Sequence, residues 1–172
     1  MSISPAVSIV IPTYNAARWL GLAVESALAQ SFADIEVLVF DNASTDETPA
    51  LMAAVTDPRC VYVRAEVNVG FAGNVTRGIR AARGRYFMVL GADDILEPSF
   101  IAEAVARLDA TPQAAMLHGR AIWIDDDGIA IGLMGGDWPA QCSGDEAFMR
   151  CFSEGFCYSA VISRTEPVKR AG

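Results

Sequence analysis

Between about residues 6 and 110, short apolar runs alternate with longer segments whose apolar positions recur at helical spacing. Ala6-Val7-Ser8-Ile9-Val10-Ile11 is a nearly continuous β-branched run closed by Pro12, as expected of a strand buried on both faces. Asn15 is read as the cap of a helix through about Phe32, with Trp19, Leu20, Ala23, Val24, Ala27 and Leu28 as its apolar stripe. Residues 35–40 predict a second strand ending in Asp41. The turn at 42–46 then leads into a helix through about Val55, and residues 60–63 form a third, shorter strand. Residues 70–73 predict a loop entering a helix that stops near Arg83-Gly84, where glycine suits a helix C-terminus. Residues 86–90 are the fourth strand, and Pro98 opens a helix through about Leu108. This alternation indicates βαβ units, and so an α/β fold with a mostly parallel sheet flanked by helices.

Beyond Pro112 the pattern changes. Residues 116–124 and 129–133 read as two strands around Asp125-Asp126-Asp127-Gly128, a hairpin signal in which the aspartates are a solvated turn. Residues 135–139 read as loop, 146–152 as helix and 158–163 as a last strand. With no linker or internal repeat, residues 1–172 are expected to form a single domain.

Composition narrows the function classes. The chain has 172 residues, 52% hydrophobic and 20% charged, which argues against disorder. A formal charge of −8 disfavours nucleic acid as a partner and electrostatic docking on anionic lipid. Cys60, Cys142, Cys151 and Cys157 form no CxxC pair, and His118 is the only histidine, so no zinc site is expected; His118 reads as structural. Neither a signal peptide nor a transmembrane segment is visible, so a cytoplasmic chain is expected, reaching the inner face of a membrane only through partners.

Candidate chemistry collects at the four strand ends. Pro12-Thr13-Tyr14-Asn15, Asp41-Asn42-Ala43-Ser44, Asn68-Val69-Gly70-Phe71 and Asp93-Asp94 each follow a predicted strand. Ligands of open α/β sheets bind beyond those ends. Any one of these segments is explained by ordinary turn and cap chemistry; all four together are not. The parts suit a nucleoside diphosphate. Tyr14 can pack on a base whose edge bonds to groups near Thr13, Asp41 can accept from a base N–H, and Asp93 and Asp94 can share ribose hydroxyls and a divalent cation. Hard cations such as Mg²⁺ and Mn²⁺ favour carboxylates and share their shells with substrate phosphates. No GxxxxGK loop and no GxGxxG after the first strand are present, which disfavours a Walker-type NTPase and a Rossmann dehydrogenase.

Val7-Ser8-Ile9-Val10-Ile11-Pro12-Thr13-Tyr14-Asn15 resembles the opening motif of the family 2 glycosyltransferases, and Asp41-Asn42-Ala43-Ser44-Thr45-Asp46 their second motif. Asn68-Val69-Gly70-Phe71-Ala72-Gly73-Asn74 with Ala81-Ala82-Arg83-Gly84-Arg85-Tyr86 is similar to their third, and Leu90-Gly91-Ala92-Asp93-Asp94 to their metal-binding Asp-x-Asp segment. The resemblance implies the GT-A fold and transfer of a sugar from a nucleoside-diphosphate donor, UDP- or dTDP-linked, to a hydroxyl of a glycan or lipid-linked acceptor in polysaccharide biosynthesis. It implies an inverting displacement with Mn²⁺ or Mg²⁺ as cofactor. Pro12, Thr13, Tyr14 and Asp41 are implied to contact the donor, Asn68 to shape the neighbouring loop, Asp93 to serve ribose and metal, and Asp94 the metal.

Two departures from the family pattern bear on the chemistry. Gly91 stands at the first acid of the Asp-x-Asp segment, so metal binding is expected to rest on Asp93 and Asp94. Residues 158–164 resemble the strand that precedes the family's acceptor segment and its acidic pair, so the general base is expected beyond Gly172, the domain being cut short there. Asp137, Asp145 and Glu146 are alternatives inside the chain, none of them assigned. Trp123 and Trp138 are candidates for the acceptor side, and Arg77 and Arg80 read as exposed helix charges. A non-catalytic nucleotide-sugar-binding module and, more remotely, a nucleotidyltransferase are the competing functions.

Overall fold

The computed structural model describes residues 4–134, 138–153 and 157–171. Strands β1 (Val7–Thr13), β2 (Ile35–Asp41), β3 (Cys60–Arg64) and β4 (Tyr86–Val89) run parallel, joined through α1 (Ala17–Leu28), α2 (Thr48–Ala53) and α3 (Gly70–Ala81). Helix α4 (Phe100–Ala110) leads into β5 (Met116–His118), β6 (Ala121–Ile124), β7 (Ala130–Met134) and α5 (Gly144–Ser153). A 3-10 turn at Tyr158–Ala160, β8 (Val161–Arg164) and α6 (Thr165–Ala171) follow. The main sheet has the order β3-β2-β1-β4-β8-β5, with β8 antiparallel to both neighbours, and β6 and β7 form a separate hairpin.

The two-sided burial predicted for the first strand is observed over its whole length. Val7, Ile9 and Ile11 pack with Leu20, Val24, Ile101 and Leu108 on the α1 and α4 face, whereas Val10 joins Leu38, Phe40 and Phe87 on the α3 face. Each such aliphatic side chain contributes about 2 kcal/mol by leaving water. Gly78 lets α3 sit close on β1, since a Cβ there would lie 2.2 Å from a Val10 methyl carbon.

At the amino ends of the strands, opposite the candidate site, a polar knot closes the sheet. Ser8 Oγ donates to Glu36 at 2.6 Å and accepts from the Arg83 and Gly84 N–H groups, while the Arg83 guanidinium donates to the same buried carboxylate. The tail of the third motif, Arg83-Gly84, is thus spent on architecture.

Several local expectations change in three dimensions. Asn15 does not cap α1: its φ is +51°, Ala16 holds the N-cap position, and the first amide is met by Asp46, whose carboxylate accepts from Ala17 N–H at 3.0 Å. Helix α1 stops at Leu28, short of Phe32, and residues 70–73 belong to the first turn of α3. The single strand expected over 116–124 is broken at Gly119, whose N–H bonds to Ala160 O and whose absent side chain makes room for the Phe100 ring. Residues 158–160 curl into the 3-10 turn before the strand begins. The Asp125–Gly128 hairpin turn is as expected, with Asp125 accepting from Asp127 and Ile129 N–H and Gly128 at φ +78°. Of the loop expected over 135–139, residues 135–137 lie outside the described residues.

A candidate donor and metal site at the strand ends

From β1 the chain steps to β2 and β3 on one side, and β4 then pairs on the other side of β1. The carboxyl ends of β1 and β4 therefore flank a topological switch point, where open α/β sheets leave a crevice. A cleft of about 280 Å³ opens there, lined by Pro12, Thr13 and Tyr14 from the end of β1 and by Asn42, Asn68, Phe71 and Asn74. Tyr14 is half exposed, whereas Thr13 is 3% exposed and its Oγ1 has no hydrogen-bond partner among the described residues. Leaving a buried hydroxyl unpaired costs about 1–3 kcal/mol, so a ligand donor or acceptor at this wall would be rewarded.

Asp41 lies beneath the cleft and has no exposed surface. Its Oδ1 accepts from the Ser44 N–H and hydroxyl, and its Oδ2 from the Tyr62 hydroxyl, with the Arg64 guanidinium 3.4 Å away. Burial first, then the bond to Asp41, push the Tyr62 phenol well above its ordinary value, so it stays a donor. This carboxylate holds Ala43 at φ +65°, a left-handed conformation that alanine adopts only when its surroundings impose it. The Ser44 hydroxyl also accepts from Asn15 N–H, which ties the first two motifs together.

Asn68 reaches the same wall from β3. Its Oδ1 accepts from the Asn42 amide and from Gly70 N–H, while Asn42 Oδ1 accepts from Val69 N–H. The pair closes the turn into α3, whose buried Asn74 donates to Phe40 O. Asn42, Phe71 and Asn74 have no assigned role in the sequence motifs; the structure brings all three to the cleft. Arg77 faces inward, donating to Asn74 and lying over the Phe40 ring, rather than projecting as a free helix charge.

Asp93 and Asp94 sit in the turn just past β4, Asp93 exposed and Asp94 half-buried. Asp94 N–H donates to Gly91 O, and the Asp94 carboxylate accepts from the Ser159 hydroxyl. The geometry explains the glycine at 91. A Cβ there would stand 2.4 Å from one Asp94 carboxylate oxygen and 3.0 Å from one of Asp93, so the space of a first acid is occupied by the other two. Tyr158, beside Ser159, packs its ring 6.2 Å from Phe71 and bridges the acidic turn to the cleft wall. Burial, then the charges of Asp94 and Asp93, raise its phenol.

Two hard carboxylates, Asp93 exposed and Asp94 half-buried, suit Mg²⁺ or Mn²⁺ bound jointly with a diphosphate. No group of three possible ligands occurs among the described residues, so a closed protein cage is not what this turn offers. Asp145 and Glu146 occupy the first turn of α5, where Glu146 pairs with Arg150, and Asp137 lies outside the described residues. Trp138 stacks on His118, while Trp123 projects from the hairpin, 55% exposed. No helix of the described residues is long and apolar enough to cross a membrane.

His118 gives this end of the fold a pH dependence. Its Nε2 accepts from Cys157 N–H at 3.4 Å, and burial lowers the imidazole below its ordinary 6.5 despite an opposing bond with the Gly119 backbone. The unfolded chain therefore takes up the proton first, so this stabilisation is full above pH 6.5 and is lost as pH falls through the lower folded value. The melting temperature is expected to fall as pH drops below 6.5, and His118→Gln, which cannot titrate, should flatten that part of the profile.

Residues 8–157 match the model of the family described as Glycosyl transferase family 2. The chain is 43% identical over 106 residues to the succinoglycan biosynthesis protein ExoO of Rhizobium meliloti, an alignment covering 62% of this chain and 30% of that protein. Its fold is similar to S. aureus TarS 1–349 (TM-score 0.76, 20% identity, 96% of this chain and 48% of the other). It is likewise similar to the mannosyltransferase PcManGT from Pyrobaculum calidifontis in complex with GDP-Man and Mn²⁺ (TM-score 0.70, 22% identity, 99% and 48%). The chain thus spans about a third or less of the length of the curated relatives it matches and about half of these solved chains. The sheet expected from the strand pattern is the one observed, and it is that of the GT-A transferases. With the family model matched across most of its residues and the motifs gathered at one switch point, this chain belongs to the family 2 glycosyltransferases.

Proposed function

We propose that this chain binds the donor for a glycosyltransferase that moves a sugar from a UDP- or dTDP-linked donor to a hydroxyl of a glycan or lipid-linked acceptor, in polysaccharide biosynthesis. One observation carries the reading. The cleft with the unpartnered Thr13 hydroxyl and the Asp93-Asp94 turn stand on the two sides of one switch point. A nucleoside seated against Pro12, Thr13, Tyr14 and Asn68 would direct its diphosphate toward the acidic turn. Asp41 supports that seat from below by holding the Ser44 loop. The relatives support the same class of donor: one solved complex of TarS contains UDP-GlcNAc, and that of PcManGT contains GDP-Man and Mn²⁺. ExoO supports polysaccharide as the product.

Asp93 and Asp94 would hold Mn²⁺ or Mg²⁺, with Asp93 also reaching the ribose hydroxyls. When bound, the ion would offset the diphosphate charge and so favour its departure. In an inverting displacement the acceptor oxygen forms its bond to the anomeric carbon as the carbon–phosphate oxygen bond breaks. The acceptor proton passes to a carboxylate base. No described residue is assigned that base.

Calorimetric titration of UDP, dTDP and GDP and their sugars, with and without Mn²⁺, tests the proposal. Metal-dependent binding of at least one is expected, with a uridine or thymidine donor preferred. Absence of such binding for all of them would overturn it. Sugar transfer or donor hydrolysis by these 172 residues would establish turnover, whereas binding without either would mark a donor-binding module.

A further inference from the structure

Because β8 runs antiparallel to β4 with Ile162 opposite Met88, the residues just before β8 lie beside those just after β4. Ser159 consequently reaches Gly91 and Asp94 although it is 65 residues from Asp94 in the chain. It is 7% exposed. Its Oγ accepts the Gly91 N–H at 2.9 Å and donates its own proton to Asp94 Oδ2. A hydroxyl has one proton to give, so accepting from the Gly91 amide leaves that proton directed at the carboxylate.

We propose that Ser159 is a positioning residue for the metal-binding turn: it fixes the Asp94 carboxylate by one oxygen and presents the other to the divalent cation. This rests on the donor and metal reading above. Gly91 is the second half of the device. With no side chain there, the Asp94 carboxylate folds back over the strand end, 2.4 Å from where a Cβ would stand, and within reach of Ser159. An acid on a flexible turn would lose side-chain freedom each time it bound metal; here that ordering is already complete in the fold. Tyr158, next to Ser159 in the chain, packs its ring on Phe71. The serine thus couples the antiparallel strand to the acids that end the parallel one.

Outer-shell partners of metal ligands typically contribute 10–100-fold in metal affinity, and Ser159→Ala is expected to weaken Mn²⁺ binding within that range. The measurement is calorimetric titration of Mn²⁺ into the chain with UDP present, or with dTDP or GDP if the wild type prefers one of those. Ser159→Thr keeps the hydroxyl and should stay nearer the wild type. Nucleotide affinity of Ser159→Ala should be reduced at low Mn²⁺ and return to the wild-type value at saturating Mn²⁺, which a collapsed cleft would not do. Should alanine prevent folding, Ser159→Cys, of similar size but a weak donor, carries the same comparison. Unchanged Mn²⁺ affinity, or a nucleotide defect that persists at saturating metal, would overturn the positioning role and leave the donor reading standing. A wild-type chain with no Mn²⁺-dependent nucleotide binding would instead remove the donor reading itself.

Discussion

Asp93→Ala combined with Asp94→Ala is expected to lower Mn²⁺-dependent nucleotide affinity by at least about 100-fold, more than loss of an outer-shell partner, because the ion loses both protein ligands. Neither side chain belongs to the core, and among the described residues Asp94 bonds only to Ser159 and, through its N–H, to Gly91 O within the turn, so the melting temperature should move little. The sign of the metal-free measurement is more telling. Without a cation, two carboxylates face a diphosphate in a chain of formal charge −8. Like charges at such range repel, so the double variant should bind nucleotide slightly better than wild type when metal is chelated. Metal dependence would then be lost, and the metal-free affinity would rise. Retention of wild-type Mn²⁺ dependence in the double variant would place the cation elsewhere.

Gly84→Ala is expected to destabilise the fold by about 3 kcal/mol, at the upper end for an overpacked site. A Cβ at residue 84 would stand 2.6 Å from Ser8 N, 2.7 Å from Tyr86 O and 2.8 Å from Val7 C. All three are backbone atoms of adjacent sheet strands, so no rotamer change relieves the clash. Relief requires moving β1 or β4, which would strain the Gly84 N–H bond to Ser8 Oγ and the Tyr86 N–H bond to Ala6 O. For a chain of this length such a loss lowers the melting temperature by roughly 6–12 °C. Thermal unfolding checks it; a midpoint within a degree or two of wild type would show that the sheet yields more easily than its hydrogen bonding indicates. The lesion lies at the end of the sheet away from the cleft, so residual folded protein should still bind nucleotide.

Much of this molecule was legible in its residues because parallel strands covered on both faces leave an unambiguous pattern. Residues 7–11 and 35–40 each carry a single polar residue, Ser8 and Glu36, among apolar ones, and the strands are found where those runs stand. Boundaries were less legible. Asn15 has the composition of a helix cap, yet its side chain accepts from Thr45 N–H, and Asp46 meets the first α1 amide across the loop. Residues 116–124, expected as one strand, are divided between two different sheets, a decision made by Gly119 and the Phe100 ring.

The sequence by itself determined the α/β alternation and the family, and put Pro12, Thr13, Tyr14, Asp41, Asn68, Asp93 and Asp94 at strand ends, because local periodicity and motif spacing depend only on near neighbours along the chain. Tertiary structure alone decided that Asp41 lies buried beneath the cleft with both oxygens engaged by Ser44, Tyr62 and Arg64. It alone decided that Arg83 and Gly84 lock the far end of the sheet, and that Ser159 meets Asp94. Those contacts join residues between 3 and 76 positions apart, and for the distant ones strand order and direction set the meeting point, which no local pattern of hydrophobic and polar residues encodes.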